Sequence, residues 1–327
     1  MGPGMKPRRA GKAASALDWL LEEDQPSVRY LALTQLLGRG EDDPQVVAAR
    51  AMIPKKGWAK DILAKQHRDG WWVSGESLYV PKYLSTNWML LVLSDLGLTR
   101  GNPRIAKACD LWIARYAKAD GGFGADRMNT SHVCTAGNTA RALVRFGYAD
   151  HPKVVSAFEW FVKHRDKNGG WSCFGSGRNL DSWEPLSAFA ALPRQAWTAG
   201  MTRAVEDAAE FYLARELHKQ GDRYGPWYRF HYPIHYYYDL LVGLDVLTAL
   251  GYTDDPGLRY AVAFLQKKRR SDGRWNLDAV HPDLEGSVAN WYKKRPPTPF
   301  AVEEPGQPSK MVTLRAMAVL NRAEGAT

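Results

Sequence analysis

The sequence has few cysteines, no long apolar run and no secretory leader. Three cysteines in 327 residues are too few, and an odd number, for a disulfide framework, which predicts a reducing, cytoplasmic setting. No segment approaches the roughly 18 consecutive apolar residues that a membrane-spanning helix requires. Acidic residues follow the basic N-terminus too soon for a secretory signal. The lack of a long apolar run predicts a protein with no integral membrane segment.

The net charge of +9 comes from basic residues spread along the chain. Dense basic clusters occur at residues 6–12, within an expected flexible tail over 1–14, and at 267–270, where cations suit a helix end. Residues 15–327 are expected to form a single domain. Without a basic stripe, no nucleic-acid partner is predicted. A weakly basic body would attract an anionic substrate or a membrane surface, which leaves peripheral membrane association open.

Aromatic residues are abundant, with 13 Trp and 15 Tyr, and five of the Trp lie in a turn motif that recurs five times. The last aromatics of the five copies are 51, 48, 56 and 48 residues apart, and a period near 50 is typical of a repeat architecture. Glycine allows each sharp turn, and the aromatic side chain holds the loop against the body. The copies are Asp69-Gly70-Trp71-Trp72, Asp120-Gly121-Gly122-Phe123, Asn168-Gly169-Gly170-Trp171, Gly225-Pro226-Trp227 and Asp272-Gly273-Arg274-Trp275.

Two predicted helices lie between consecutive turns, the first apolar on nearly all sides and the second amphipathic. The first typically ends at a glycine such as Gly97, and the second begins at a cap such as Asn102 before proline. About six such pairs favour closure into an all-α toroid, an α/α barrel of about six helical hairpins. The predicted buried helices are 26–38, 84–97, 133–147, 182–192, 236–251 and 310–322. The predicted amphipathic helices are 15–23, 43–66, 103–118, 152–166, 201–219 and 256–269, and 278–309 is a long Pro-rich loop.

A family resemblance rests on these turns. Residues 66–72, Gln-His-Arg-Asp-Gly-Trp-Trp, resemble the Gln-Trp repeat of squalene–hopene and oxidosqualene cyclases, and 266–275 resemble a second copy. Related repeats occur in the β subunits of protein prenyltransferases. Residues 132–138 and 170–173 also resemble uncharacterised squalene-cyclase-like proteins. The resemblance implies an α/α toroid with a terpene-cyclase-like or isoprenoid-binding function, acting on a small hydrophobic substrate in an aromatic-lined central cavity.

The sequence departs from both families in the residues that carry their chemistry. The Asp-x-Asp-Asp acid motif of triterpene cyclases is absent, and Asp254-Asp255 precedes Pro256, where helix capping is the expected role. The Asp-x-Cys zinc pair of prenyltransferases is also absent, since no cysteine follows Asp181 two residues later. The chain is about half as long as a two-domain triterpene cyclase.

Candidate site residues lie at the N-terminal ends of the inner helices, which are expected to converge on the central cavity. Aromatic faces there would stabilise a carbocation by about 0.5–2 kcal/mol each, and a buried carboxyl group could donate a proton. Helix capping, ion pairing and simple space filling are the structural alternatives. The expected catalytic residues are Asp239 as the proton donor, with His235, Tyr238 and Glu184. The expected substrate-binding residues are Trp88, Asn138, Trp183, Trp227, Arg229 and Tyr237.

A second candidate site consists of His132, Cys134 and Cys173, with His235 as a further member. Thiolates and imidazoles are zinc ligands, and His-x-Cys followed by a distant Cys supplies three of them. The spacing matches no tight zinc signature, and free cysteines are commonly small buried hydrophobic residues. Zinc is therefore one hypothesis for a cofactor, and none is predicted firmly.

Two other functions remain open. The α/α toroid also serves polysaccharide lyases and glycosidases, in which His235 or Tyr238 would act as base and acid while Asn138 and Arg229 bind an acidic sugar. A non-catalytic lipid-binding or interaction toroid is the third hypothesis. A deep closed cavity favours the cyclase, an open cleft lined with His, Arg and Tyr favours the sugar enzyme, and a filled centre favours the third.

Overall fold

The structure, a computed structural model, describes residues 15–173, 183–218, 225–235, 237–280 and 301–325. The predicted N-terminal tail over 1–14 and residues 281–300 of the Pro-rich stretch lie outside these ranges. Within the described ranges the regular structure is helical, with no strand. The α-helices are α1 (Ala16–Leu20), α2 (Pro26–Leu31), α3 (Pro44–Met52), α4 (Gly57–Ala64), α5 (Thr86–Asp95), α6 (Pro103–Tyr116), α7 (Val133–Arg145), α8 (Pro152–Lys163), α9 (Glu184–Ala191), α10 (Ala199–Leu213), α11 (Leu240–Ala249), α12 (Arg259–Lys267) and α13 (Lys310–Ala323).

Six helices form an inner ring. Helices α5, α7, α9, α11 and α13 contact one another in chain order, and α13 packs back against α2 and the π-helical turn Ala32–Leu36 that continues it. The ring closes between α2 and α5, where the ring of Tyr30 lies against Gly97 and α4 packs against both helices. Burial follows the sequence pattern, since every residue of α5 from Thr86 to Ser94 is buried.

Six helices pack on the outside, one against each inner helix. Helix α3 lies on α2, α6 on α5, α8 on α7, α10 on α9, α12 on α11 and α1 on α13. Each of the longer outer helices buries one face, as α6 does with Ile105, Ala108 and Trp112. The alternation of inner and outer helices is that of an α/α toroid of six hairpins, so the predicted fold class is confirmed.

Four of the five aromatic turns share one geometry. In each, a backbone N–H donates to the carbonyl four residues later, as from His67 to Trp71 at 2.8 Å, and the glycine between them has a positive φ of 80° to 103°. The indoles of Trp72, Trp171 and Trp275 each donate to the carbonyl ten residues earlier, at 2.8 to 3.1 Å. The Gly225 copy differs, since residues 225–228 form a short 3₁₀ turn.

Helix ends agree with the predicted caps. Asn102 accepts a hydrogen bond from the Arg104 N–H at 2.9 Å, and Asp255 accepts one from the Gly257 N–H at 2.7 Å. Capping is therefore the observed role of Asp255. The predicted continuous helix over 43–66 is wrong, because it is two helices separated at Pro54, which lacks an N–H group for the helical ladder.

Candidate functional site

Residues 230–235 and 237–239, here called the central segment, are buried throughout and fill part of the centre of the ring. A filled centre is the feature expected of a non-catalytic toroid, and the cavity described below is the part that remains open. Tyr232 and Ile234 face a cavity beside the C-terminal halves of inner helices. His235 packs instead against Trp88 and Tyr83, near the start of α5. The central segment therefore separates two environments with different chemistry.

The larger space is the arginine cavity, with a volume of about 560 Å³. Such a volume lies within the range of about 300–1,000 Å³ common for small-molecule sites. Its apolar wall includes Leu31, Ile234, Val242, Val246 and Leu314. Its polar lining contains five arginines and three carboxylates: Arg50, Arg141, Arg145, Arg315, Arg322, Glu41, Asp95 and Asp245.

Some of these charges pair within the fold. Asp245 accepts hydrogen bonds from Arg315 at 3.2 Å and from Arg322 at 2.6 Å. Burial alone would raise the pKa of Asp245, yet the two guanidinium groups hold that pKa below its usual value. Asp95 pairs with Arg145. These carboxylates are therefore held as the anionic partners of arginines.

Other donors around the arginine cavity lack partners. Nε and Nη2 of Arg141, Nη1 of Arg315 and the hydroxyl of Tyr232 are buried and make no hydrogen bond to any described residue. The Arg141 guanidinium lies 5.1 Å from the ring centroid of Trp183. Burial lowers the pKa of Arg141 to about 10. Because unsatisfied buried donors are costly, each of these groups would gain from a partner that reaches it.

The proposed acid Asp239 is engaged in the fold. Its Oδ1 caps α11 by accepting from the Val242 N–H at 2.7 Å, and its Oδ2 accepts from the backbone N–H of His231 at 3.1 Å. The ring Nδ1 of His231 lies 2.6 Å from the same oxygen, and both side chains are fully buried. His231, which the sequence reasoning did not single out, is thus the closest titratable neighbour of Asp239 in the described structure.

The predicted aromatic residues pack tightly at the other end of the ring. The Trp88 indole donates to the Tyr79 carbonyl at 2.8 Å and meets the His235 ring edge-on at 5.3 Å. His235 has a φ of +49°, and neither of its ring nitrogens has a hydrogen-bond partner in the described structure. Burial lowers the pKa of His235 to about 3. A pocket of about 10 Å³ lined by Trp88, Cys134 and Asn138 has room for about one water.

The remaining predicted residues are dispersed. The Tyr238 hydroxyl donates to the Leu217 carbonyl at 3.0 Å, and its ring meets Trp227 edge-on at 5.5 Å. Arg229 is half-buried and donates to the Asp278 carbonyl. Tyr237 places its hydroxyl 3.5 Å from that of Tyr83, and Glu184 lies buried at the start of α9. Of the predicted substrate-binding residues, Trp183 lines the arginine cavity, while Trp88 and Asn138 line the small pocket.

The predicted metal ligands are brought together. Nδ1 of His132 lies 3.3 Å from Sγ of Cys134, and the backbone N–H of Cys134 donates to Sγ of Cys173 at 3.2 Å. Hydrogen bonds from Cys134 and His132 lower the pKa of Cys173 to about 5, despite its burial. Among the residues that the structure describes, this is the one group of three such side chains with donor atoms within 4.8 Å of one another. His235 is not part of it.

The arginine cavity was not predicted, because its polar residues lie away from the N-terminal ends of the inner helices, where the main site was expected. A signal was present, since Arg141, Asp245 and Arg315 lie within helices that were predicted to be buried. A charged residue within a buried helix requires a partner, so it marks a polar site.

No family model matches the chain. A probable squalene–hopene cyclase from Sinorhizobium fredii is 29% identical over 164 residues, which cover 44% of this chain. The match spans only 24% of that relative's length. The fold is squalene/terpene cyclase-like. This was the resemblance predicted from the aromatic turns.

Similar solved structures include the type II terpene cyclase MstE from Scytonema in complex with geranylgeranyl dihydroxybenzoate, 15% identical with a TM-score of 0.48. That alignment covers 93% of this chain and 88% of the other. A protein from Actinoplanes is 17% identical with a TM-score of 0.44, covering 92% and 90%. None of the helices in the described ranges is long and apolar enough to cross a membrane.

Proposed function

We propose that this chain is a terpene-cyclase-like protein that binds a small anionic isoprenoid in the arginine cavity. The observation that carries this proposal is the set of buried, unpartnered donors on Arg141, Arg315 and Tyr232 beside an apolar wall. The sequence similarity to a squalene–hopene cyclase supports the isoprenoid part of the proposal.

These donor atoms are closed to solvent in the unligated protein, so their side chains would turn toward the cavity to meet the anionic end of the ligand. Hydrogen bonds to charged groups contribute about 1.5–3 kcal/mol each, and they are strongest where water is excluded. A diphosphate or carboxylate offers several acceptor oxygens, so it can accept from Arg141 and Arg315 together. Because the cavity lining has more arginines than carboxylates, a neutral head group would leave these donors unsatisfied.

The hydrocarbon chain of the ligand would lie on the apolar wall formed by Leu31, Val242, Val246 and Leu314. Each buried methylene group contributes about 0.8 kcal/mol, so a prenyl chain gains more from this wall than a hydrophilic sugar does. Trp183, whose ring already faces the Arg141 guanidinium, adds an aromatic surface beside the head group.

The proposed reaction is a proton-initiated cyclisation. A carboxylic acid protonates one alkene of the ligand, a ring closes on the resulting cation, and loss of a proton returns a product of unchanged mass. Asp239 remains the proposed acid, and its hydrogen-bonded neighbour His231 is the group that could return the proton. Asp239 and His231 are fully buried and do not line the arginine cavity, although Tyr232, which follows His231, does. The central segment would therefore have to move to bring the acid to the ligand.

Isothermal titration with farnesyl diphosphate, farnesol and an oligogalacturonate tests the binding step. We expect the diphosphate to bind at least about 10-fold more tightly than the alcohol, since one charge-assisted hydrogen bond is worth that factor. Equal binding of farnesol would contradict the role of the arginines, and preferential binding of the oligogalacturonate would favour the acidic-sugar hypothesis.

Product analysis by chromatography and mass spectrometry tests the chemical step. The expected product is an isomer of the substrate with a shifted retention time, formed by the wild type and not by Asp239→Asn, which keeps an oxygen to cap α11. If the diphosphate binds to both proteins and neither forms an isomer, the chain is a binding toroid without this chemistry.

A further inference from the structure

The first turn of α7 and the aromatic turn after α8 place three soft donor atoms together. His132 is the N-cap of α7, Cys134 lies in its first turn, and Cys173 follows Trp171 by two residues. The Trp171 indole is anchored to the Phe161 carbonyl at 3.1 Å, so the loop that carries Cys173 is held against α8. We propose that His132, Cys134 and Cys173 form a divalent metal site, with zinc as the preferred ion and a fourth coordination position open to a ligand.

The distances suit tetrahedral zinc. At Zn–S and Zn–N bonds of about 2.3 and 2.05 Å, tetrahedral angles separate two sulfurs by about 3.8 Å and a sulfur from a nitrogen by about 3.6 Å. The three donor atoms all lie within 4.8 Å of one another, with His132 Nδ1 and Cys134 Sγ at 3.3 Å. Changes of about one ångström or less in the separation of the donor atoms therefore give metal-binding geometry.

The donor set selects the class of metal. Two thiolates and one imidazole are soft to borderline ligands, which favour zinc over magnesium or calcium. All three are held on defined backbone, because the Ala136 N–H donates to the His132 carbonyl at 2.8 Å in the first turn of α7. The cluster is therefore organised before the metal binds.

The fourth position would face the small pocket beside Cys134. Trp88 and Asn138 also line this pocket, and Oδ1 of Asn138 is buried without a hydrogen-bond partner in the described structure. Asn138 follows Cys134 by one helical turn, so both side chains lie on the same face of α7. A water bound to the metal would donate to this oxygen, which gives Asn138 a partner that the protein alone does not provide.

A Cys134–Cys173 disulfide is the competing state of the two thiols. Neither thiol is in a disulfide in the structure, and both lie beside His132. Oxidation would join the sulfurs at about 2.05 Å and remove both as metal ligands. The two states differ in mass by two hydrogens and in metal content, so mass and metal measurements on one preparation distinguish them.

Elemental analysis of the full chain, purified under reducing conditions without chelator and then loaded with zinc and gel-filtered, provides the test. We expect about one zinc per chain for the wild type and for Cys109→Ala, the control at the third, separately buried cysteine. Cys134→Ser, Cys173→Ser and His132→Gln should each weaken zinc binding by more than about 100-fold, since even outer-shell partners are worth 10–100-fold.

Alkylation of the wild type supplies a readout that does not depend on any variant folding. Zinc should slow iodoacetamide labelling of Cys134 and Cys173, measured by peptide mass spectrometry, without changing that of Cys109. Wild-type protein with normal helical circular dichroism that retains no zinc and shows no protection would overturn the proposal. So would a Cys134–Cys173 disulfide that persists in reductant. Neither result bears on ligand binding in the arginine cavity, which is lined by other residues.

Discussion

Replacing Arg141 by methionine should stabilise the unligated protein and at the same time weaken binding of an anionic ligand. Arg141 is 2% exposed within α7, and two of its nitrogens have no described hydrogen-bond partner. Burial lowers its pKa to about 10. A fall of this size from the ordinary arginine value means that folding disfavours the charged side chain by about 3 kcal/mol.

Part of this cost is offset in the folded protein. The contact of the guanidinium with the Trp183 ring, at 5.1 Å, returns about 0.5–2 kcal/mol. Methionine has an unbranched, uncharged side chain that can occupy much of the same space. Replacing a buried charge by an apolar residue is often neutral or stabilising. The free energy of unfolding of Arg141→Met should therefore exceed that of the wild type by about 1–2 kcal/mol.

Ligand binding should change in the opposite direction. Loss of one charge-assisted hydrogen bond, about 1.5–3 kcal/mol, weakens the Kd for farnesyl diphosphate by about 10- to 150-fold. Urea unfolding at pH 7 and titration calorimetry measure the two effects. Arg203→Met, at an exposed arginine of α10, is the matched control and should change stability by less than about 0.5 kcal/mol.

The reasoning would be refuted if Arg141→Met lowered the free energy of unfolding with an unchanged denaturant slope. That result would mean that Arg141 has a stabilising partner within the protein. An unchanged Kd for the diphosphate would show instead that the ligand binds elsewhere, whatever the stability result.

Three further predictions concern the inner helices and the central segment. Asp239→Ala removes the cap of α11 and the partner of a buried histidine, so it should lower the free energy of unfolding by about 3–5 kcal/mol in urea; a loss below about 1 kcal/mol would show that the pair is not stabilising. Gly137→Ala places a methyl group 2.5 Å from backbone carbon of Glu184 and should cost about 1–3 kcal/mol in thermal unfolding; Gly200→Ala, with no contact below 3.5 Å, should not. The pKa of His235 is about 3 in the folded protein and near 6.5 in the unfolded chain. The fold therefore keeps the full contribution of the neutral imidazole above pH 6.5. This contribution, about 5 kcal/mol, is lost as the pH falls toward 3. His235→Phe should therefore show a shallower loss of stability in acid, and equal pH profiles would contradict the assignment.

Much of the ring could be predicted from the sequence because each step rests on local chemistry. Glycine ends a helix because it tolerates positive φ, as Gly97 and Gly147 do at 80° and 96°. Asn102 caps a helix because its side-chain oxygen replaces a missing carbonyl partner. Apolar residues on every side of α5 require burial on every side. A repeat period near 50 residues then gives about six helix pairs, which is the number predicted to close into a ring.

The position of the cavity could not be predicted in this way. The hydrophobic pattern identifies which helices are inner, but it does not say which end of the ring is filled. That depends on the central segment, where His235 is directed to one end and Tyr232 to the other. From the sequence, His132, Cys134 and Cys173 could be recognised only as residue types that bind metals. Their proximity could not be predicted, because Cys173 reaches α7 through a tertiary contact across 39 residues.

The arginines of the cavity divide into two groups by position along their helices. The C-terminal ends of inner helices carry partial negative charge, which cations in the last turn stabilise. Arg145 and Arg322 lie in the last turns of α7 and α13, and both pair with carboxylates. These two arginines therefore have a structural role. Arg141 and Arg315 lie at least one turn before those ends, and each keeps a buried donor without a described partner, although Nε of Arg315 also donates to Asp245. Helix-end electrostatics explains the first group and not the second, and the unpaired donors of the second group are what the proposed anionic ligand would satisfy.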